Sequence, residues 1–332
     1  KDQDRVETVT YRKDAQKAII RYVSTNGNRV LTTDEVTGKS GEAIAYSTTS
    51  QITEFKKQGY NLVSDEFTAG GAKVYDYDTA RDQVYTVTLS ERVEPVNPDN
   101  PTPQPNTPVN PGQPDSPRWP ATVHDLDNKE SVSRTIHYVY EDGSKAKDDV
   151  VETLNFKRWS RINLVTGQIF FQDWTTNDDT FDKVVSPTIA GYTADKSEIP
   201  AVSGVQAKDQ DRVETVTYRK DAQKAVIRYV STNGNRVLTT DEVTGKSGEA
   251  IAYSTTSQIT EFKKQGYKLV SDEFTSGGAK VYDYDTARDQ VYTVTLSERV
   301  EPVNPDNPTP QPNTPVNPGQ PDSPRWPGTV EN

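Results

Sequence analysis

The sequence contains no cysteine, no methionine and only two histidines. Without cysteine, disulfide bonds and thiolate metal sites are excluded. The missing methionine leads us to expect a fragment of a longer reading frame. No secretory signal and no apolar run long enough to cross a bilayer is present, so we expect no membrane insertion. The formal net charge of -11 at pH 7 disfavours binding to nucleic acid or to an anionic membrane surface.

Proline is almost absent outside two identical tracts, which hold 20 of the 22 prolines. The tract PVNPDNPTPQPNTPVNPGQPDSPRWP occupies residues 95–120 and returns at 302–327. Proline donates no backbone hydrogen bond and restricts the residue before it, so a packed core has little use for this segment. A proline at about every third residue favours polyproline II, which would extend the tract up to roughly 80 Å. We therefore expect semi-rigid extended linkers.

An internal repeat determines the organisation, because residues 1–125 recur at 208–332 with six differences. The differing pairs are Ile19/Val226, Asn61/Lys268, Ala69/Ser276, Ala121/Gly328, His124/Glu331 and Asp125/Asn332. A weaker similarity inside the repeat indicates two related modules, of which the first carries an insertion of about 16 residues. The predicted segments are the last strand of a truncated first-type module (1–13), a second-type module (14–95), a proline-rich linker (96–120), a first-type module (121–221), a second-type module (222–302), and a linker with the start of another repeat (303–332).

Each second-type module begins with two predicted elements. KAIIRYVSTNGNRVLTTDEV is typical of a β-hairpin, with Asn26 and Gly27 supplying the positive φ angles of a two-residue turn. STTSQITEFKKQGY predicts one short helix, in which Thr48 and Gln51 form a capping box and Gly59 ends the helix.

A closing strand, VYTVTL at 84–89, alternates with Val87 and Leu89 facing inward, or in the opposite register. The order of hairpin, helix and further strands indicates an α+β fold with a helix across one sheet face. The sequence thus predicts tandem β-grasp (ubiquitin-like) modules joined by proline-rich extended linkers.

No residue pattern points to catalysis. His124 and His137 have no histidine partner that recurs in the other copy. VTGKSGE contains Gly-Lys-Ser, but Thr33 stands where a phosphate-binding loop needs glycine, so we interpret the segment as a strand connector. We therefore do not expect an enzyme.

The insertion of the first-type module contains NFKRWSRINL at 155–164. As one strand it would place Lys157, Trp159 and Arg161 on one face, opposite Phe156, Arg158 and Ile162. A tryptophan between two cations can stack on a sugar ring while the cations hold a carboxylate or sulfate. The alternative is that Trp159 packs in the core and the charges solvate an edge. Because tryptophan is buried on average, the sequence favours this alternative.

A second candidate site is the acidic run DWTTNDDTFD, a possible calcium site formed by Asp173, Asp178, Asp179 and Asp182. It does not match a twelve-residue calcium loop. Asp178 or Asp179 fits equally well as the cap of a short helix through Phe181. We expect no cofactor, with calcium as the alternative.

Seven blocks together resemble the mucus-binding (Mub/MucBP) repeats of Lactobacillus cell-surface adhesins. The second-type module carries RYVSTNGNRV, VTGKSGEAI, QGYNLVSDEF and VYTVTLSER, and the first-type module carries HYVYEDGSK, AGYTADKSEI and VETVTYRKD. The resemblance spans essentially the whole chain. It implies β-grasp modules in an extracellular, cell-wall-anchored protein that adheres to mucin glycans, with immunoglobulin binding in similar members. It carries over no glycan-binding residue.

Two functional hypotheses follow. In the first, the chain is a monomeric, elongated adhesin whose weakly binding modules act together along an array, since multivalent binding raises avidity by ~10²–10⁴. In the second, it is a passive stalk of a surface protein whose binding site lies elsewhere.

Overall fold

The computed structural model describes residues 4–328, so residues 1–3 and 329–332, the outer ends of the first and last predicted segments, lie outside it. It groups the chain into two compact units. The first contains residues up to Val132 together with Thr153–Thr180 and Gly204–Gln210. The second contains Ser133–Glu152, Phe181–Ser203 and the residues from Asp211 onwards. Within residues 4–328 no helix has the length and apolar character needed to span a membrane.

Both second-type modules contain the same four sheet strands and one helix. The elements in chain order are β1 (Ala15–Ser24), β2 (Val30–Lys39), α1 (Thr49–Lys57), β3 (Tyr60–Asp65), β4 (Gln83–Glu91), β5 (Val93–Val96), a 3-10 helix (Ala121–Asp125), β6 (Lys129–Tyr140), β7 (Lys145–Lys157), β8 (Ser160–Asn163), β9 (Ile169–Phe171), β10 (Val184–Val185), β11 (Tyr192–Ala194), β12 (Glu198–Ile199), β13 (Arg212–Lys220), β14 (Ala222–Ser231), β15 (Val237–Lys246), α2 (Thr256–Lys264), β16 (Tyr267–Asp272) and β17 (Gln290–Glu298).

The first second-type module is a four-stranded mixed sheet in the order β2-β1-β4-β3, with β1 and β4 parallel at its centre. Val87 and Leu89 of β4 are fully buried, which selects the first of the two registers that the sequence left open. Ile52 and Phe55 of α1 belong to the same core, as the spacing of the helix predicts. The second copy has the same sheet in the order β15-β14-β17-β16.

Two local predictions for this module were wrong in detail. Positive φ angles occur at Gly27 and Asn28, not at Asn26, because the loop is longer than two residues and Ser24 N–H bonds to the carbonyl of Arg29 at 2.8 Å. Thr48 makes no side-chain cap, since its hydroxyl donates to Asp65 at 2.6 Å instead. Gly59 does end the helix with a positive φ of 94°.

Two tyrosines of this core, Tyr22 and Tyr46, satisfy their hydroxyl groups internally. The Tyr46 hydroxyl donates to Asp34, so the Tyr22 hydroxyl, 2.9 Å away, must donate to Tyr46. Burial, followed by the hydrogen bond to Asp34, raises the pKa of Tyr46. A buried phenol without such a partner costs stability, so these two hydrogen bonds stabilise Tyr22 in the core.

Gly38 leaves room for a buried aromatic ring. A Cβ built at Gly38 would lie 2.1 Å from Cε2 of Tyr75, which is buried in the core. The first glycine of VTGKSGE, in β2, therefore allows the Tyr75 ring to pack against this strand.

We expect Gly38→Ala to destabilise the first second-type module by about 1–3 kcal/mol, because the Tyr75 ring must move. Hydrogen exchange read by mass spectrometry can test this, since Ile19 and Val226 give the two β-hairpins different masses. Exchange should accelerate in the Ile19 peptide alone. Gly328→Ala, where a Cβ meets nothing within 4 Å, is the control. Equal exchange in both variants would contradict the packing argument.

The second unit contains a fully buried arginine, which sequence reasoning missed. Its first-type sheet has the order β11-β13-β6-β7, and Arg134 on β6 is 1% exposed. Arg134 Nε donates to Glu152 at 2.6 Å, Nη1 to the carbonyl of Pro200 at 3.0 Å, and Nη2 to the carbonyl of Asp182. Its guanidinium also lies 5.1 Å from the ring centroid of Phe181. The charge is thus paired and hydrogen-bonded, as burial requires.

Arg134→Met should cost about 3–5 kcal/mol, because Glu152 and two carbonyl groups would lose their donor. The measurement is the free energy of unfolding from urea titration. Arg161→Met, at an exposed arginine, should change it by no more than about 0.5 kcal/mol. A loss of similar size in both variants would show that Arg134 is not a structural centre.

Residues 5–13 and β13 have the same sequence, RVETVTYRK, but different structures. β13 pairs with β6 and β11, and Val216 within it is fully buried. The equivalent Val9 is 72% exposed, and residues 4–13 form no strand. The predicted last strand at 1–13 is therefore wrong for its described part, because this segment lacks the neighbouring strands that order β13.

The proline tract 95–120 folds back on itself, so its predicted extended conformation is wrong. Asn106 N–H donates to the Trp119 carbonyl at 2.9 Å, and Trp119 N–H donates to the Thr107 carbonyl at 3.0 Å. Val109 N–H donates to the Pro117 carbonyl at 2.9 Å. The residues between the prolines supply these donors, and positive φ angles at Asn106 and Gly112 allow the turns. The tract at 302–327 makes the same three contacts.

Candidate functional site

The insertion of the first-type module forms a small hairpin within the first unit. β8 pairs with β9 on one side and with β5, the start of the proline tract, on the other. Asn163 orders the connecting turn, because its side-chain oxygen accepts from Val165 and Thr166 N–H at 3.0 and 3.1 Å. The result is a three-stranded sheet with one buried and one open face.

The buried face of this sheet covers an apolar cluster. Ile162 of β8 and Val96 of β5 lie in it, together with Val123 and Leu164. Val109 and Trp119 of the proline tract pack against the same cluster. The folded tract is therefore part of the support beneath the hairpin.

The open face carries two aromatic side chains and one cation. Arg161 pairs with Phe170 across β8 and β9. Trp159 precedes β8 but continues the same ladder, because Gln172 N–H donates to its carbonyl at 2.9 Å, so alternation puts all three side chains on this face. Trp159 is 43% and Phe170 45% exposed. Arg161 is exposed and makes no side-chain hydrogen bond or ion pair with residues 4–328. We call Trp159, Arg161 and Phe170 the aromatic–cation face.

A second arginine fixes the chain next to this face. The guanidinium of Arg158 lies 3.9 Å from the ring centroid of Phe171 and 4.3 Å from that of Trp174. Arg158 Nε donates to the carbonyl of Asp127 at 2.7 Å, and Nη2 donates to its carboxylate at 3.0 Å. This stack holds the residue immediately before Trp159 and so helps to orient the tryptophan.

A lysine completes the surroundings of the stack. Lys208 Nζ lies 5.5 Å from the Trp174 ring and donates to Glu130 and, at 2.9 Å, to Asp127. The hydrogen bond to Glu130, followed by that to Asp127, raises the pKa of Lys208. The charges around Arg158 are thus mutually compensated, in contrast to Arg161.

The predicted cluster at 155–164 is only partly brought together. The single strand is interrupted between β7 and β8, at Arg158 and Trp159. Lys157 ends β7 and pairs with Asp99 at 3.0 Å, so its charge is compensated. Burial of Trp159, the alternative that the sequence favoured, is wrong.

The four predicted carboxylates do not converge on one site. Asp178 accepts from Thr180 N–H at 2.9 Å, and Asp179 accepts from the Thr180 hydroxyl at 3.0 Å. Asp173 is exposed, and Asp182 offers its carbonyl to Arg134. Among residues 4–328 no group of three or more His, Cys, Asp or Glu side chains could hold a metal ion. The alternative helix is also wrong, since Val184 and Val185 form β10.

Sequence reasoning missed Phe170, Phe171 and Trp174. Their signal was the aromatic cluster IFFQDW at 169–174, directly after the predicted strand. What the sequence did not give was the pairing register that places Phe170 opposite Arg161.

Two family models match most of the chain. A Muc B2-like domain matches residues 123–222, and a mucin binding domain matches residues 16–91 and 223–298. The crystal structure of the MucBP domain of the adhesion protein from Pediococcus pentosaceus is 37% identical over 27% of this chain and 98% of its own, with a TM-score of 0.25. The chain belongs to the mucin-binding repeat family. This confirms the resemblance to mucus-binding repeats found in the sequence.

Two longer structures of the mucin-binding repeat family also match. The type 2 repeat of the mucus binding protein MUB from Lactobacillus reuteri is 28% identical over 62% of this chain and 100% of its own, with a TM-score of 0.41. Mub-RV is 26% identical over 62% of this chain and 99% of its own, with a TM-score of 0.49. A search of curated proteins finds no match. The families of this mucin-binding repeat chain are adhesin repeats and not enzyme families.

In this mucin-binding repeat chain, Arg158→Lys should lower the free energy of unfolding by about 1–3 kcal/mol. Lysine keeps the charge but loses the planar stack and the two-pronged contact with Asp127. Tryptophan fluorescence during urea unfolding reports the change. Arg161→Lys, at the uncompensated arginine, should leave stability within about 0.5 kcal/mol. Equal stability of the two variants would refute the role given to the stack.

Proposed function

We propose that this chain is part of an extracellular surface adhesin and binds mucin glycans through the aromatic–cation face. The observation that carries the proposal is Arg161, an exposed cation without a partner among the described residues, between two exposed aromatic side chains. The family supports a mucus-binding, adhesin-type function for the chain.

The chemistry of the face suits an acidic sugar. An exposed aromatic ring can stack on the apolar side of a pyranose, and a guanidinium can hold a carboxylate or sulfate with two parallel hydrogen bonds. Arg161 is free to do so because no carboxylate of residues 4–328 neutralises it. The protein is acidic overall, so a local cation on an otherwise negative chain favours a specific anionic group over polyanions in general.

The repeat organisation supports multivalent binding. We propose that the modules are tandem β-grasp folds, because the sheet order β2-β1-β4-β3 with a parallel central pair and one helix has that arrangement. In a cell-wall-anchored array, each first-type module would add one face. Linked weak sites can raise avidity by ~10²–10⁴ over a single one.

The decisive experiment compares retention on immobilised mucin, desialylated mucin and immunoglobulin G. Trp159→Ala and Arg161→Gln should each weaken retention on mucin by about tenfold, or ~1.4 kcal/mol. If the acid is a sialic acid, Arg161→Gln and the unaltered chain should become equal on desialylated mucin.

The control for this experiment is Arg228→Gln, an exposed arginine that has no side-chain partner among residues 4–328. It should bind mucin like the unaltered chain. Unchanged retention of both face variants would remove the site while leaving the adhesin hypothesis. No retention of the unaltered chain on mucin would favour the passive stalk, and retention on immunoglobulin alone would favour an antibody-binding module.

A further inference from the structure

Residues 93–96 and 300–303 have the same sequence, VEPV, but only the first is a strand. In the first unit Val93 and Val96 are 44% and 5% exposed. In the second unit Val300 and Val303 are 89% and 49% exposed. Each segment directly follows the last strand of a second-type sheet. In the first copy this VEPV segment is therefore paired with another strand, and in the second copy its edge is exposed.

In the first copy, the hairpin of the insertion fills this position. Four residue pairs join β5 to β8, and Leu164 N–H donates to the carbonyl of Arg92 at 2.9 Å. Asn163 Nδ2 donates to Oε2 of the Glu91 carboxylate at 2.7 Å. Leu164 packs against Gly59, where a Cβ would come within 2.8 Å of it.

The turn of the hairpin reaches the second-type core. Val165 packs against the cluster that contains Phe55 and Tyr60. In that setting Tyr60 is buried, whereas the equivalent Tyr267 is only partly buried. The docked hairpin thus completes the edge of the core as well as the strand ladder.

The second copy has an open groove of about 610 Å³ at the equivalent place. Its walls come from α2, from β16 and β17 with the segment after them, and from the folded proline tract; among its lining residues are Lys263, Tyr267, Lys268, Arg299 and Asp322. Nothing lies within 4 Å of a Cβ built at Gly266, the equivalent of Gly59. Asn233 Nδ2 donates to Oε1 of Glu298 at 3.3 Å, as the equivalent Asn26 does to Glu91. Oε2 of Glu298 has no partner among residues 4–328.

We propose that this groove is a docking site for the first-type insertion of another copy of the repeat. A hairpin with the sequence of residues 159–171 adds a strand to Val300–Val303, places its leucine against Gly266 and donates its asparagine amide to Glu298. Main-chain hydrogen bonds of an added strand supply affinity, and side-chain pockets supply specificity. The occupant follows from the first copy, in which the same residues already hold this segment.

The absence of cysteine allows a site-specific test on the full chain. Lys268→Cys carries an environment-sensitive dye in the groove, and Asn61→Cys carries it at the equivalent position of the occupied copy. A synthetic peptide with the sequence of residues 157–175 is the probe. The Lys268→Cys signal should change with saturation at one peptide per chain, and the Asn61→Cys signal should not.

Two altered partners make the test specific. Val303→Asp should weaken peptide binding about tenfold or more, because docking would bury the carboxylate beside an apolar cluster. Its side chain is half exposed in the free groove, so folding should be unaffected. A peptide with aspartate in place of Leu164 should also fail to bind. Equal binding in either case would overturn the proposal.

A second version of the test does not require the free peptide to form a hairpin, because it uses the protein extended by one more first-type module. With residues 126–221 repeated after residue 332, the equivalent of residue 125, the added insertion stands at the same chain distance from the groove as in the first copy. The dye at Lys268→Cys should then match the dye at Asn61→Cys in emission and quenching. An unchanged signal both here and with the peptide would show that the groove does not accept the insertion.

Discussion

The backbone ladder between Val93–Val96 and Ser160–Asn163 is the interaction that positions the insertion hairpin and, with it, the candidate site. Neither four-residue segment is long enough to be a stable strand alone, and an isolated two-stranded pair is marginal in water. Once paired, they give Val96, Ile162 and Leu164 a common apolar cluster, and the folded proline tract packs against that cluster. The aromatic–cation face is the outer surface of the same sheet, so its geometry depends on a contact between segments far apart in sequence.

Local patterns predicted the interior of the second-type module well. Alternation puts Val87 and Leu89 on the same face of β4, and the structure shows that this face is the buried one. Glycine chemistry over a few residues predicts the end of α1 at Gly59. The capping box failed because Asp65, seventeen residues from Thr48, competes for the threonine hydroxyl. Tertiary partners of this kind leave no trace in a short window of sequence.

Duplication within the chain shows where prediction from sequence must stop. Val9 and Val216 occupy identical sequences, yet one is exposed and the other fully buried. No rule that uses only the local residues can distinguish them, because the difference lies in which strands are adjacent. The same applies to the candidate site, where the partners of Arg158 lie 13 and 16 residues further along and are brought in by the register of β8 and β9.

The hydrogen-bonded proline tract has a mechanical consequence. A fully extended chain of 26 residues can span up to roughly 85–95 Å. Here the two halves of the tract are joined by backbone hydrogen bonds between Asn106 and Trp119. The tract is therefore shorter than its full contour length and does not set a fixed distance between its two ends. Under a pulling force it would lengthen only after those few hydrogen bonds had broken, which makes it an extensible element and not a rigid rod.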